Sequence, residues 1–93
     1  MTYRQIEKMK YDALCYNQFI MTCALYKRVP FKVVVFESEK DSATVLIFSR
    51  TQSETVTTRH MKFSKKNADD IIDRLQDDFT GLQVEYLTET TDL

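Results

Sequence analysis

The chain has 93 residues with one Gly, one Pro, one His, two Cys and no Trp; 43% are hydrophobic, 29% are charged, and the net charge is −1. Loops that cradle phosphates or dinucleotides need several glycines close together, so Gly81 alone excludes them, and one His with two Cys cannot supply the four donors of a Cys/His structural zinc site. Length and composition suit a single α+β domain over residues 1–93, one that buries only about 60–65% of its unfolded-chain surface.

In chain order, Tyr3 to about Lys27 reads as a helix. Ile6, Met9, Ala13, Tyr16, Ile20 and Cys23 recur at spacings of three and four and form one apolar stripe. A second stripe of Tyr11, Leu14, Met21 and Leu25 lies on the opposite side, with Phe19 and Tyr26 flanking, and two opposed faces call for two partners. Such a helix is about 37 Å long, against a diameter of about 32 Å for a compact domain of this size, so it should either overhang the domain or be covered by a second molecule. The most apolar run, Ala13 to Tyr26, is interrupted by Asn17, Gln18 and Thr22 and reads as a buried helix rather than a membrane span. Cys15 and Cys23 stand about 12 Å apart along this helix, too far for a mutual disulfide. With no secretory signal pattern at the N-terminus, an intracellular, reducing location is expected.

Pro30 is expected to end the helix. Three strands follow, Phe31 to Phe36, Ala43 to Ser49 and Val56 to Phe63, linked by polar turns at Glu39-Lys40-Asp41-Ser42 and near Gln52-Ser53-Glu54 in an antiparallel meander. On the third strand Thr57, Arg59, Met61 and Phe63 face the core, and Thr58, His60 and Lys62 face outward. Phe36, Lys32, His60 and Lys62 are read as sharing an outward sheet face with Val34, Val45 and Ile47, a face apolar enough to need a cover. A second helix is predicted with Asn67 as N-cap, Asp69 and Asp70 in its first turn, an apolar stripe of Ala68, Ile71, Ile72, Leu75 and Phe79, and Gly81 as its left-handed C′ residue. Leu82, Val84 and Tyr86 alternate as a fourth strand, and 88–93 read as a frayed tail. The predicted order is α-β-β-β-α-β, with a mostly antiparallel sheet and the second helix packed on it.

Charge is divided along the chain. Residues 1–66 hold twelve Lys/Arg against six Asp/Glu, and residues 67–93 hold one against eight. Arg59, Lys62, Lys65 and Lys66 run from the third strand into the second helix, where cations beside helix N–H groups suit phosphate. Asp69, Asp70, Asp73, Asp77 and Asp78 form the opposite pole, read as a solvated helix face, although its i, i+4 pairs Asp69/Asp73 and Asp73/Asp77 could share a hard cation. His60 has no Ser, Cys or carboxylate at a nucleophile spacing, so no catalytic residue, metal ligand or cofactor site is assigned.

In element order and in the stretch Ser64-Lys65-Lys66-Asn67-Ala68, the chain resembles the double-stranded-RNA-binding domain, whose α-β-β-β-α fold has a basic pair opening its last helix. The Alu-RNA-binding proteins of the signal recognition particle share that order. The resemblance covers residues 3–80, and it implies contact with a nucleic-acid backbone through Arg59, Lys62, Lys65 and Lys66. The chain departs from the pattern in lacking turn glycines, in placing Asp69, Asp70 and Asp73 after the basic pair, and in adding a fourth strand.

The leading expectation is a small intracellular, non-enzymatic protein-interaction module without a membrane span. It would be dimeric or docked on a larger partner through Ile6, Met9, Tyr11, Leu14, Tyr16, Ile20 and Met21. One alternative is a nucleic-acid-binding module. Another is a small viral or mobile-element inhibitor that occupies a host protein's site by acidic mimicry with Asp69 to Asp78 and the tail.

Overall fold

Thr2 caps the first helix, α1 (Tyr3–Tyr26), by a reciprocal pair of bonds: its hydroxyl accepts the Gln5 N–H, and the Gln5 side chain accepts the Thr2 N–H. The helix stops before Pro30. Lys27 turns left-handed at φ 55° and donates its N–H to the Cys23 carbonyl, which ends the helical ladder on its own. Pro30 lies instead inside β1 (Val29–Glu39), next to an irregularity in the ladder and beyond the reach of the strand on its other side, which pairs only from Lys32 onward. A residue without an N–H is tolerated there.

The computed structural model describes residues 2–39 and 41–87, with 37–39 described by their backbone alone. Among them, β1 is followed by β2 (Ser42–Arg50), β3 (Val56–Ser64), α2 (Lys65–Asp78) and β4 (Gln83–Leu87). The expected order α-β-β-β-α-β is the observed one. The sheet runs β3-β2-β1-β4, antiparallel throughout the meander, with β4 added parallel to β1 after the crossover through α2. Lys40 and 88–93 lie outside the described residues, as do the turn centred on Lys40 and the frayed tail predicted there.

Strand alternation decides what the two sheet faces carry. Val33 and Val35 pair with Ile47 and Val45, and Val45 and Ala43 pair with Met61 and Phe63, so one face presents an unbroken apolar surface. Tyr16, Phe19 and Cys23 of α1 and Ala68, Ile71, Ile72 and Leu75 of α2 pack on it, with Leu82 closing one end. Both helices therefore occupy the same side. Val45 and Ile47 belong to this buried face, contrary to the sequence reading; only Val34 shares the other side with Lys32, Phe36, His60 and Lys62, because Val34, Leu46 and His60 lie in one cross-strand row. The third strand follows the expected alternation, with Met61 and Phe63 buried and Thr58, His60 and Lys62 outward.

The second helix starts earlier than its capping pattern suggests. Ser64, not Asn67, is the N-cap, and the first turn holds Lys65, Lys66 and Asn67 with no acid. Tertiary contacts fix this start, since the Lys65 N–H goes to the Asp41 carbonyl and the Ser64 and Asn67 side chains are both drawn to Asp12. At the other end Phe79 is the C-cap, and Gly81, at φ 84°, lies two residues beyond it rather than at C′. The whole is a slab of 43 × 38 × 18 Å.

Candidate functional site

Helix α1 is amphipathic in an unusual sense, because its outward side is apolar too. The inner side buries Asp12, Tyr16, Phe19 and Cys23. On the outer side Tyr11, Leu14, Met21 and Leu25 are 58, 53, 69 and 73% exposed, and neither α2 nor the sheet covers them. Spacings of three, seven and four residues place these four side chains on a single seam of the helix, about 21 Å from first to last. Arg59 joins them. Its place in the register, opposite Ile47, puts it on the helix side of β3, and with Gln18, Met21, Thr22 and Leu25 it lines a shallow hollow of about 700 Å³ between α1 and the sheet edge.

The expected partner-binding residues accordingly divide. Ile6, Met9, Tyr11, Leu14 and Met21 are exposed and available. Tyr16 and Ile20 are not: Tyr16 is 1% exposed and Ile20 packs against the core. Both point toward the rest of the domain, Tyr16 because its hydroxyl donates to an Asp78 oxygen at 2.8 Å and its ring takes the Arg74 guanidinium at 4.6 Å. This contact also supplies a donor for Asp78 at the acidic end of α2. Burial, the bond to Asp78 and the charge of Asp78 together push the Tyr16 phenol well above the ordinary tyrosine range, with Arg74 pulling the other way.

The expected phosphate-binding set is scattered over three places. Arg59 belongs to the α1 hollow, Lys62 to the opposite face of the sheet, and Lys65 and Lys66 to the first turn of α2. Alternation along β3 separates Arg59 from Lys62, and the turn into α2 carries the lysine pair round to the helix side. The outward sheet face does combine apolar and cationic groups. Phe31, Leu46 and Phe48 are half-buried there beside Val34 and Phe36, Arg50 stacks on Phe31 at 4.3 Å, and Lys32 pairs with Glu85 at 3.3 Å. No element among the described residues lies over it.

Asp12 was not singled out by its place in the sequence, yet it organises one end of the molecule. It is 1% exposed. Oδ2 accepts the Asn67 amide at 2.7 Å and the Ser64 N–H and hydroxyl at 3.3 Å each, and Oδ1 faces Lys8 Nζ at 3.0 Å. A signal for it does exist, because an acid four residues after a lysine and within an apolar helical stretch is the pattern of an internal anchor. Cys23 is an unreactive type of cysteine: burial raises its thiol, outweighing the nearby Arg28 and Arg59 charges. Among the described residues no group of three His, Cys, Asp or Glu is placed to hold a metal ion, and no helix is long and apolar enough to cross a membrane.

Compared with known protein families, with curated proteins and with solved structures, the chain finds no match.

Proposed function

We propose that this protein is a non-enzymatic interaction module that docks another protein on the outer side of α1. The observation that carries this reading is the exposed seam of Tyr11, Leu14, Met21 and Leu25. Four large apolar side chains in one row exceed the scattered apolar exposure of an ordinary surface, and their heptad spacing suits a partner helix laid along them. Tyr and Met are also residue types enriched where proteins meet. The surroundings select the partner's charge. Arg4 and Lys10 on the helix, Lys27 and Arg28 at its end and Arg59 beside it outnumber Glu7, so the fitting partner is an amphipathic helix with acidic flanks. An inhibitor that occupies a site on another protein is one form such docking takes.

A capture experiment from native host extract tests it, with wild type compared against Leu14→Glu/Met21→Glu and each repeated after nuclease treatment. Both changes fall on exposed positions, so the variant should keep the wild-type circular dichroism spectrum. The expected result is a protein partner retained by wild type, resistant to nuclease and lost with the variant. Retention of the same partner by the folded variant, or loss of all retained material to nuclease, rejects the reading.

A further inference from the structure

The first turns of α1 and α2 lie beside one another at one end of the slab and enclose a cleft of about 620 Å³. Arg4, Lys8, Lys65 and Lys66 line it, over an apolar patch from Met9, and Asp41 is the one acid among its lining residues. Each helix brings its positive dipole end to this place. Neither has an acid in its first turn; α1 has Arg4 there, and α2 has Lys65 and Lys66. Cations at a helix start are the wrong sign for the dipole; the buried Asp12 carboxylate offsets part of this at the start of α2, and an anion in the cleft would relieve the rest. Ser64 does not cap α2 with its side chain, which is committed to Asp12. Lys8 is fixed in place by the same carboxylate at 3.0 Å, and among the described residues no ion pair holds Arg4 or Lys66.

We propose that this cleft binds a compact polyanion carrying two or more adjacent phosphate groups. Its size falls in the range of small-ligand sites, about 300–1,000 Å³. Arg4 and Lys66, with Lys8 and Lys65 close by, suit a multiply charged group better than a single carboxylate. A nucleic-acid duplex fits less well, because Asp69, Asp70 and Asp73 stand exposed on α2 directly beyond the lysines and would repel a backbone that continued along the helix. On α2 the positive field is thus confined to the first turn. The proposal does not depend on what docks along α1, whose apolar seam begins at Tyr11 and shares only the Arg4 charge with the cleft.

Titration of sodium triphosphate into isotope-labelled protein at low salt, followed by two-dimensional amide spectra, tests it. Saturable shifts are expected in the first turns of α1 and α2 and at Asp41, with the affinity reduced by about tenfold or more in Arg4→Glu/Lys66→Glu. Arg4→Gln/Lys66→Gln serves as a milder version should the charge reversal disturb folding, and a short RNA duplex is titrated in parallel. Absence of saturable shifts, shifts located elsewhere, or an affinity that neither double variant changes overturns the proposal. Binding of the RNA duplex through Arg4 and Lys66 without binding of triphosphate also overturns it, in favour of a nucleic-acid backbone.

Discussion

Asp12 shows how one buried charge can set the start of a distant helix. Its carboxylate gathers donors from Ser64 and Asn67, more than fifty residues away, together with Lys8 one turn back on its own helix. Replacing it by Ala would leave these donors without their acceptor in a largely dry place, and Asp12→Ala is expected to lower stability by about 3 kcal/mol, read from urea unfolding. Tyr16 gives a pH signature. Its folded-state value is raised above the unfolded value near ~10, so the native state holds the phenolic proton more tightly; the stability this contributes is complete below pH ~10 and is lost as pH rises beyond it. Tyr16→Phe should cost about 1 kcal/mol at neutral pH through the lost bond to Asp78, and the gap between wild type and variant should narrow above pH ~10. A gap that stays constant to pH ~11 would show that the phenol does not titrate differently in the two states.

Helix α1 carries two apolar faces with different fates, and substitutions separate them. Ile20→Glu places a charge against the core and should unfold much of the protein, at a cost of about 3 kcal/mol or more. Leu14→Glu, on the outer side, should change stability by only about 0.5 kcal/mol in either direction. Thermal melts of the two variants check this contrast, and equal destabilisation would mean that the outer seam is also part of the folded core. The existence of two stripes is legible in the sequence because helical spacing is a property of one element. Their assignment to inside and outside is not, since it depends on the sheet that the helix meets. The same distinction explains the ends of the helices. The α2 start reads locally as Asn67 followed by two acids, but Asp12 and Asp41 draw it back to Ser64 through contacts that no local pattern encodes. Element order and the alternation of the third strand were legible because short polar links force neighbouring strands to pair and pleating fixes the faces, whereas the inner face of the second strand was not, since Val45 and Ile47 are buried against the helices. The candidate site was legible in part. The seam as a row follows from spacing though its exposure does not, whereas the cationic cleft joins Arg4 and Lys8 to Lys65 and Lys66, residues about sixty positions apart in the chain.

At the scale of the molecule, the charge division along the sequence becomes a division in space. The outer side of α1 and its ends are positive, while the acids among the described residues of the C-terminal third lie on α2 and β4, where Asp69 and Asp73 are close enough to Tyr86 to help raise its phenol beyond the effect of burial. Two copies meeting through their α1 seams would set Arg4, Lys10, Lys27 and Arg59 of each against those of the other, a repulsion opposing the apolar gain. A head-to-tail contact of one copy's basic side with another's acidic side escapes that repulsion but is not two-fold, and it would build rings or open chains rather than a symmetric dimer. Neither arrangement matches the seam as well as a distinct acidic helix does. The protein alone is therefore expected to scatter light as a monomer at micromolar concentration and physiological salt. A stable dimer under those conditions, broken by Leu14→Glu/Met21→Glu, would place a second copy on the seam in the partner's stead; growth of larger species at low salt that vanishes on adding salt would identify the head-to-tail contact instead.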